Sequence, residues 1–194
     1  MRVRLGFVIA GFATFTLGSA QAQTGASAGR VQLTAGVGAT YGNLVGGDFS
    51  GSKAAAGFDA NAGVLFGRWQ FGVGYDRTNH AHDGTDGDYV VSNVYVEPRL
   101  LFASAMHQWT PYAELRMGRA MASYQGVLGI TDKARGYVAG LGAGLIWPLA
   151  GRVQADAAAH YERLSHDYGT EGYTDTEKGG RASVRVGVRY GVTR

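Results

Sequence analysis

The sequence contains no cysteine and only three prolines among its 194 residues. Without cysteine no disulfide can stabilise the fold, even for a chain exported to an oxidising compartment. The longest apolar run is the 13-residue stretch from Leu5 to Leu17, which is too short to cross a hydrocarbon core of ~30 Å as a helix. An excess of one charge is also missing, since 18 Lys and Arg residues face 15 Asp and Glu residues. This near balance excludes the basic footprint of a nucleic-acid-binding protein.

The first 22 residues have the anatomy of a secretory signal peptide. Arg2 and Arg4 precede the apolar run, and Ala20 and Ala22 supply the small residues before a cleavage point. We therefore predict a signal peptide over residues 1–22 and one exported domain over residues 23–194. An uncleaved anchor or a buried N-terminal helix is the alternative.

Glycine is abundant, with 32 residues where a share of ~7% is usual. After residue 30, apolar residues alternate with polar residues or glycine at a period of two, which predicts β-strands. Eight segments show this alternation, namely 31–41, 56–66, 69–76, 93–102, 112–118, 136–147, 153–162 and 182–192. Short connections (67–68, 105–108, 148–151) alternate with long polar ones (42–53, 79–88, 123–135, 165–180). We therefore predict an all-β fold, an eight-stranded antiparallel up-and-down transmembrane β-barrel.

A water-soluble barrel or sandwich would also alternate, but three features favour a membrane barrel. The segments are mostly 10 to 12 residues long, whereas strands of soluble domains cluster near ~5–6 residues. Glycine lies mostly on the polar face, where it makes room for bulky side chains inside a narrow barrel. The aromatic residues concentrate at the segment ends, as in the interfacial girdles of membrane barrels. All three tryptophans, Trp69, Trp109 and Trp147, lie near short connections.

This pattern resembles the small eight-stranded outer-membrane proteins, the OmpA-like and opacity-type barrels. The resemblance covers Arg30 to Arg194 and includes the local sequences 140–145 (GLGAGL) and 184–190 (VRVGVRY). It implies a monomer in the bacterial outer membrane, with no cofactor, assembled by periplasmic chaperones and the barrel-assembly machinery. Such proteins usually end in an aromatic residue, whereas this sequence ends in Arg194.

The polar face of the predicted strands carries many ionisable residues of both signs. They are Asp59, Asp76, Glu97, Arg99, Glu114, Arg116, Asp156, His160, Glu162, Arg185 and Arg189. We predict that they form a salt-bridged plug that fills the barrel interior. The alternative is a gated pore in which these pairs rearrange.

Two weaker patterns suggest chemistry. His160-Tyr161-Glu162 resembles the His-x-Ser pair of barrels that deacylate lipid A, but glutamate stands where the nucleophile belongs. The polar stretch 79–88 holds two histidines and three aspartates, although their spacing fits no established metal-binding loop. We therefore predict neither catalytic nor metal-binding residues.

Arg77, Arg119 and Arg163 share the parity of the membrane-facing residues and lie near the long connections. At that depth they are predicted to contact lipopolysaccharide phosphates, unless a local bulge turns them inward. Pro98 lacks a backbone N–H and is predicted to mark a bulge.

The predicted function is non-enzymatic, in envelope integrity or in surface contact and adhesion through four extracellular loops. These loops are where a host or surface ligand would bind. A minor pore for ions or small solutes is the alternative, and a lipid A-modifying enzyme is the third.

Overall fold

The fold is a closed barrel of eight antiparallel strands. A computed structural model describes residues 31–49, 52–81, 88–102, 109–125, 131–170 and 173–193. The strands are β1 (Val31–Val45), β2 (Ala55–Phe66), β3 (Trp69–Ala81), β4 (Asp88–Leu101), β5 (Thr110–Gln125), β6 (Thr131–Ala150), β7 (Val153–Thr170) and β8 (Tyr173–Thr193). Each strand pairs with its sequence neighbours, and β8 pairs with β1. The predicted eight-stranded up-and-down barrel is therefore confirmed, while the predicted signal peptide lies outside the described residues.

The strand register closes the barrel with a fixed stagger. One hydrogen-bonded row runs from β1 to β8 through Val31, Phe66, Trp69, Leu100, Ala113, Ala143, Ala159 and Val184. The row then returns to β1 at Tyr41, ten residues above its start. Such a stagger in eight strands requires a tilt of ~35–45° and leaves an interior that side chains can fill.

The two faces of the sheet are inverted relative to a water-soluble protein. Apolar side chains point outward, and Leu141 and Val186 are 66% and 58% exposed. Polar and charged side chains point inward, where Arg99 and Asn93 are fully buried. Outward aromatic residues form a lower belt (Phe66, Trp69, Phe71, Trp109, Trp147, Tyr190) and an upper belt (Tyr41, Phe58, Tyr75, Tyr137, Tyr161). Trp109 and Trp147 stack at 5.5 Å in the lower belt. No helix in the described part of the chain is long and apolar enough to span a bilayer.

In two of the predicted long loops, the described residues belong to strands. The β5–β6 ladder continues to the pair Gln125–Thr131, and the β7–β8 ladder continues to Thr170–Tyr173. The predicted loops 123–135 and 165–180 were therefore wrong in extent. Above the upper belt a strand needs no apolar face, so the hydropathy alternation fades although the ladder persists. As a result β6 and β8 have 20 and 21 residues, whereas β2 and β3 have 12 and 13.

The predicted bulge at Pro98 was also wrong. The β4–β5 ladder is interrupted after Val96–Met117 and resumes at Arg99–Glu114 in the same register. The missing N–H of Pro98 therefore costs ladder contacts without shifting the strand. The register shift lies instead in β6, between Pro148 and Ala150. At the lower end the predicted two-residue turn forms at Gly67 and Arg68, and the positive φ of 60° at Gly67 requires glycine.

The segment after β1 folds across the upper end of the barrel. A short 3-10 turn (Gly47–Phe49) carries Phe49 into the interior, where its ring lies 5.7 Å from that of Tyr89. The backbone N–H of Lys178 donates to Asp48 Oδ2 at 2.8 Å, which ties this turn to β8. Phe49 completes an apolar cluster, here called the upper cap, formed by Leu44, Phe49, Tyr89, Val91, Ala120, Ala122, Ala134, Val138 and Leu164.

Candidate functional site

The barrel interior below the upper cap holds a network of buried charges contributed by six strands. All of its members are at most 5% exposed. This ionic layer comprises Asp59, Asp76, Glu97, Arg99, Glu114, Arg116, Asp156, His160, Glu162, Arg181, Arg185 and Arg189. The structure thus brings together every interior residue named from the sequence, and it adds Arg181.

Arg99 contacts three carboxylates. Its Nε lies 3.0 Å from Glu114 Oε2, its Nη1 donates to Asp156 Oδ2 at 2.8 Å, and its Nη2 contacts Glu97. The guanidinium also lies 4.7 Å from the centre of the Tyr112 ring. Buried charges of this kind persist only when they are paired, so Arg99 neutralises the acids of β4, β5 and β7 together.

Arg116 also contacts several carboxylates, one layer higher in the barrel. Its Nε donates to Glu97 Oε2 at 2.6 Å, and its Nη1 lies 3.5 Å from Glu162 Oε1. The guanidinium covers the ring of Tyr95 at 4.4 Å, and the Tyr95 hydroxyl donates to Asp59. These contacts extend the network from β4 and β5 to β2 and β7.

Arg181 was missed from the sequence and is a full member of the network. It donates to both oxygens of Asp76 at 2.8 Å, and its Nε donates to Glu162 Oε2 at 2.8 Å. The signal was available, because Arg181 has the parity of Arg185 and Arg189 in β8. It lies between the predicted loop 165–180 and the predicted segment 182–192, in a stretch that belongs to β8.

Arg185 and Arg189 occupy the lower part of the layer. Arg185 lies 3.4 Å from both Asp59 and Asp156, and it donates to the Tyr112 hydroxyl at 3.1 Å. Arg189 is 3.8 Å from Asp156. These residues border a small cavity of about 10 Å³, which has room for about one water molecule. Below it, an apolar cluster of Leu101, Tyr112, Ile146 and Ala158 fills the lower interior.

The charges of the layer nearly balance. Six carboxylates face five guanidiniums, and the sixth basic group is His160, whose Nε2 contacts Glu114. Room for this contact comes from Gly142 on β6, where a Cβ would lie 2.6 Å from His160 Cδ2 and 2.8 Å from Glu114 Oε1. The glycines of the inner face therefore act as recesses for charged neighbours, as a narrow barrel requires.

One trio in the layer has the residue types of a metal site. Ligand atoms of Glu97, Glu114 and His160 lie within 4.8 Å of one another. However, Arg99 and Arg116 lie between these carboxylates and contact both. A divalent cation would have to displace two buried guanidiniums, so the arrangement suits ion pairing better than metal coordination.

The two residues of the pattern that resembles a lipid A deacylase lie inside the barrel. His160 and Glu162 face the packed interior, where they contact Glu114 and Arg181, away from the lipid-facing surface. In the stretch 79–88, residues 82–87 lie outside the described residues. His80 is described, and its ring nitrogens lie 2.9 Å from the Lys53 carbonyl and from Thr78 Oγ1.

Arg77, Arg119 and Arg163 are exposed on the outer face, and no bulge turns them inward. Each lies beside an aromatic residue of the upper belt. Arg77 pairs in register with Phe58, the Arg119 guanidinium lies 4.7 Å from the Tyr137 ring centre, and Arg163 follows Tyr161 by two residues.

Comparison with known proteins identifies the fold. No protein-family model matches the chain, and no curated protein is significantly similar in sequence. Among solved structures, the Neisserial surface protein A, NspA, has a TM-score of 0.60 at 17% identity, covering 82% of this chain and 96% of its own. The outer membrane protein AlkL, solved in DMPC bilayers, has a TM-score of 0.58 at 12% identity, covering 92% and 98%. The expected resemblance to small outer-membrane barrels is therefore confirmed at the level of fold.

Proposed function

We propose that this protein is a closed, non-enzymatic β-barrel of the bacterial outer membrane that acts in envelope integrity or surface contact. The apolar outer face between two aromatic belts supports the membrane location, because such a band matches the hydrocarbon layer. The observation that carries the proposal is the ionic layer, which joins six strands across the interior with the upper cap above it.

The ionic layer supports a closed barrel rather than a pore. A hydrated ion would have to pass guanidiniums and carboxylates that contact one another, and the small cavity between Asp59 and Arg189 holds about one water. Separating a buried pair costs ~3–5 kcal/mol, because it leaves a charge without a partner. Spontaneous opening would require several such separations at once.

Single-channel recording in planar bilayers tests the closed state. We expect the wild-type protein to be silent in KCl. The matched variant Asp59→Ser/Arg185→Ser removes one charge of each sign beside the cavity, so it keeps the net charge while widening the interior. This variant should also stay silent, because the other pairs and the upper cap still close the lumen. A large porin recorded in the same bilayers provides the positive control. Discrete, reproducible openings of the wild type would overturn the proposal and favour the minor pore.

The upper end supports a role at the cell surface. The β5–β8 strands have 16 to 21 residues, so they form a wall that rises above the shorter β1–β4 strands. Its described outward side chains include Lys133, Arg135, Asp167 and Lys178, which are exposed and offer a surface to a partner outside the membrane. A variant in which residues 123–133 are replaced by a two-residue turn should keep the gel mobility of the folded barrel.

The same shortened variant should lower the resistance of cells to detergent, or their attachment to surfaces. Equal resistance and attachment in wild-type and variant cells would contradict a surface role.

Mass spectrometry of lipid A, from cells with and without expression of the protein, tests the alternative that it is a lipid A-modifying enzyme. We expect identical lipid A masses in both samples, and a new mass would overturn the non-enzymatic assignment.

A further inference from the structure

We propose that the outer face of β5–β8 binds the phosphates of lipopolysaccharide at the level of the upper aromatic belt. The inference rests on the proposed outer-membrane location. The surface, here called the basic face, is formed by Arg119, Lys133, Arg135, Arg163 and Lys178. All five side chains are exposed.

The strand register brings these cations together. Arg119, Tyr137, Ser165 and Lys178 lie side by side in one hydrogen-bonded row across β5, β6, β7 and β8. Arg163 lies two residues below Ser165 on the same face of β7. Since strands are ~4.8 Å apart, the row places its two cations ~14 Å apart with Arg163 between them. This spread suits a headgroup with more than one phosphate.

Arg135 and Lys133 continue the basic face upward along β6. They lie two and four residues above Tyr137, on the same face of the strand. A lipid phosphate near Arg119 and Arg163 would therefore have further cations above it, where the sugar-phosphate part of the headgroup extends. The cations of the basic face are therefore spread both across the strands and upward along β6, as the phosphates of an extended headgroup require.

The depth of the face matches a lipid headgroup. Tyr137 belongs to the upper belt, and aromatic belts lie at the boundary between hydrocarbon and headgroups. The Arg119 Cζ lies over the Tyr137 ring, 4.7 Å from its centre, and this contact holds the cation at the boundary. A cation at that level meets lipid phosphates before it meets bulk water.

The face has a surplus of positive charge. Two described carboxylates adjoin the face. Asp167 pairs in register with Arg135 and accepts a hydrogen bond from Thr176 Oγ1 at 2.9 Å, and Asp48 accepts one from the backbone N–H of Lys178 at 2.8 Å. Neither Arg119 nor Arg163 makes an ion pair with any residue that the structure describes. Five cations against two acids leave a surplus of positive charge, which suits a polyanionic headgroup.

Arg77 supplies the internal comparison. It lies at the same level on β3, but its register neighbours are Phe58 and Ser92, so it is an isolated cation. A single arginine can meet one phosphate oxygen pair, whereas the basic face can meet several. Arg77 should therefore contribute little to the binding of a lipid that carries two or more phosphates. The lipopolysaccharide contact predicted for Arg77, Arg119 and Arg163 is thus proposed for the strands β5–β8 only.

The test compares Arg119→Gln/Arg163→Gln/Lys178→Gln with Arg77→Gln in two kinds of vesicle, one of phosphatidylcholine and one of phosphatidylcholine with lipopolysaccharide. The measured quantity is the temperature at which the folded gel band converts to the unfolded band. We expect lipopolysaccharide to raise this temperature for the wild type and for Arg77→Gln. The triple variant should lose most of that rise while keeping the wild-type temperature in phosphatidylcholine alone.

Three outcomes would overturn the proposal. One is an equal rise in the wild type and the triple variant, and another is a loss in Arg77→Gln as large as in the triple variant. The third is a rise that persists with dephosphorylated lipopolysaccharide. If no folded band forms in any vesicle, the membrane location itself fails, and that result is distinct from all three.

Discussion

The ionic layer and the upper cap fill the same lumen with opposite chemistry. In the ionic layer, a single side chain such as that of Arg99 contacts acids from three strands. In the cap, Phe49 and Leu164 pack with other apolar residues, and Phe49 comes from a turn rather than a strand. The charged network therefore ties six strands to one another across the lumen, whereas the cap packs apolar side chains against its upper end. We therefore expect the two regions to respond differently to substitution, to acid and to loss of a single hydrogen bond.

The largest effect is expected in the ionic layer. Arg99→Met keeps most of the side-chain volume but leaves Glu97, Glu114 and Asp156 short of one positive charge. Stranding buried charges typically costs ~3–5 kcal/mol. The temperature of conversion from the folded to the unfolded gel band should fall accordingly, and the yield of folded barrel should drop.

A matched pair of variants separates charge from packing. Glu114→Gln added to Arg99→Met removes one of the stranded charges and should recover part of the lost stability. Leu164→Ala in the cap creates a cavity costing ~2–5 kcal/mol, and Glu114→Gln should not restore it. If Glu114→Gln rescues both variants or neither, the distinction between the two regions is wrong.

Acid should loosen the cap before the ionic layer. His166 lies five residues above Tyr161, outside the membrane, and its fully buried ring makes an edge contact with Phe49 at 5.8 Å. Burial lowers the pKa of His166 to about 4, although Asp167 acts in the opposite direction. The opened state therefore binds the proton more readily, so the stability of the cap is complete above about pH 6.5 and declines as the pH falls towards 4.

Hydrogen exchange measures this effect. After correction for intrinsic rates, amides of residues 44–49 should exchange faster at pH 4.5 than at pH 7, while those of β4 near Arg99 stay protected. His166→Phe should keep the cap protected at both pH values, because it cannot take up a proton. Identical acid responses in the wild type and His166→Phe would remove His166 as the cause.

The smallest effect is expected at the tie between the cap turn and β8. Asp48→Ala removes the acceptor of the Lys178 N–H, and one such hydrogen bond contributes ~1 kcal/mol. The Lys178 amide should exchange several-fold faster, with the stability of the ionic layer unchanged. Asp48→Asn keeps an acceptor oxygen and should show a smaller change; an equal change in both variants would point to charge instead.

The parity of the alternation was sufficient to place the interior charges, because side chains on a strand point to opposite faces in turn. It could not supply their partners, since Arg99 and Asp156 meet through the closure of the barrel and lie 57 residues apart. The burial of Phe49 could not be predicted from the sequence for another reason. Phe49 comes from a turn with no alternation, and its burial depends on β4, β7 and β8, where its ring meets Tyr89, His166 and Gly179.

Arg181 and Pro98 show two different errors. Arg181 was excluded because hydropathy alternation ends at the membrane boundary, whereas the hydrogen-bonded ladder does not. Pro98 was given a bulge because a local defect was expected to shift the register, but the flanking pairs hold it in place. Both errors come from treating a strand as an isolated segment when its neighbours determine its extent.

The ten-residue offset with which the sheet meets itself constrains how this gene can change. Deleting one codon inside a strand would rotate every later side chain of that strand by half a turn, sending its arginines into hydrocarbon and its leucines into the lumen. Losses or gains of two codons preserve that orientation, and changes beyond the upper belt alter only the rim. Length variation among natural variants should therefore be even-numbered within the walls and unrestricted at the outer edge.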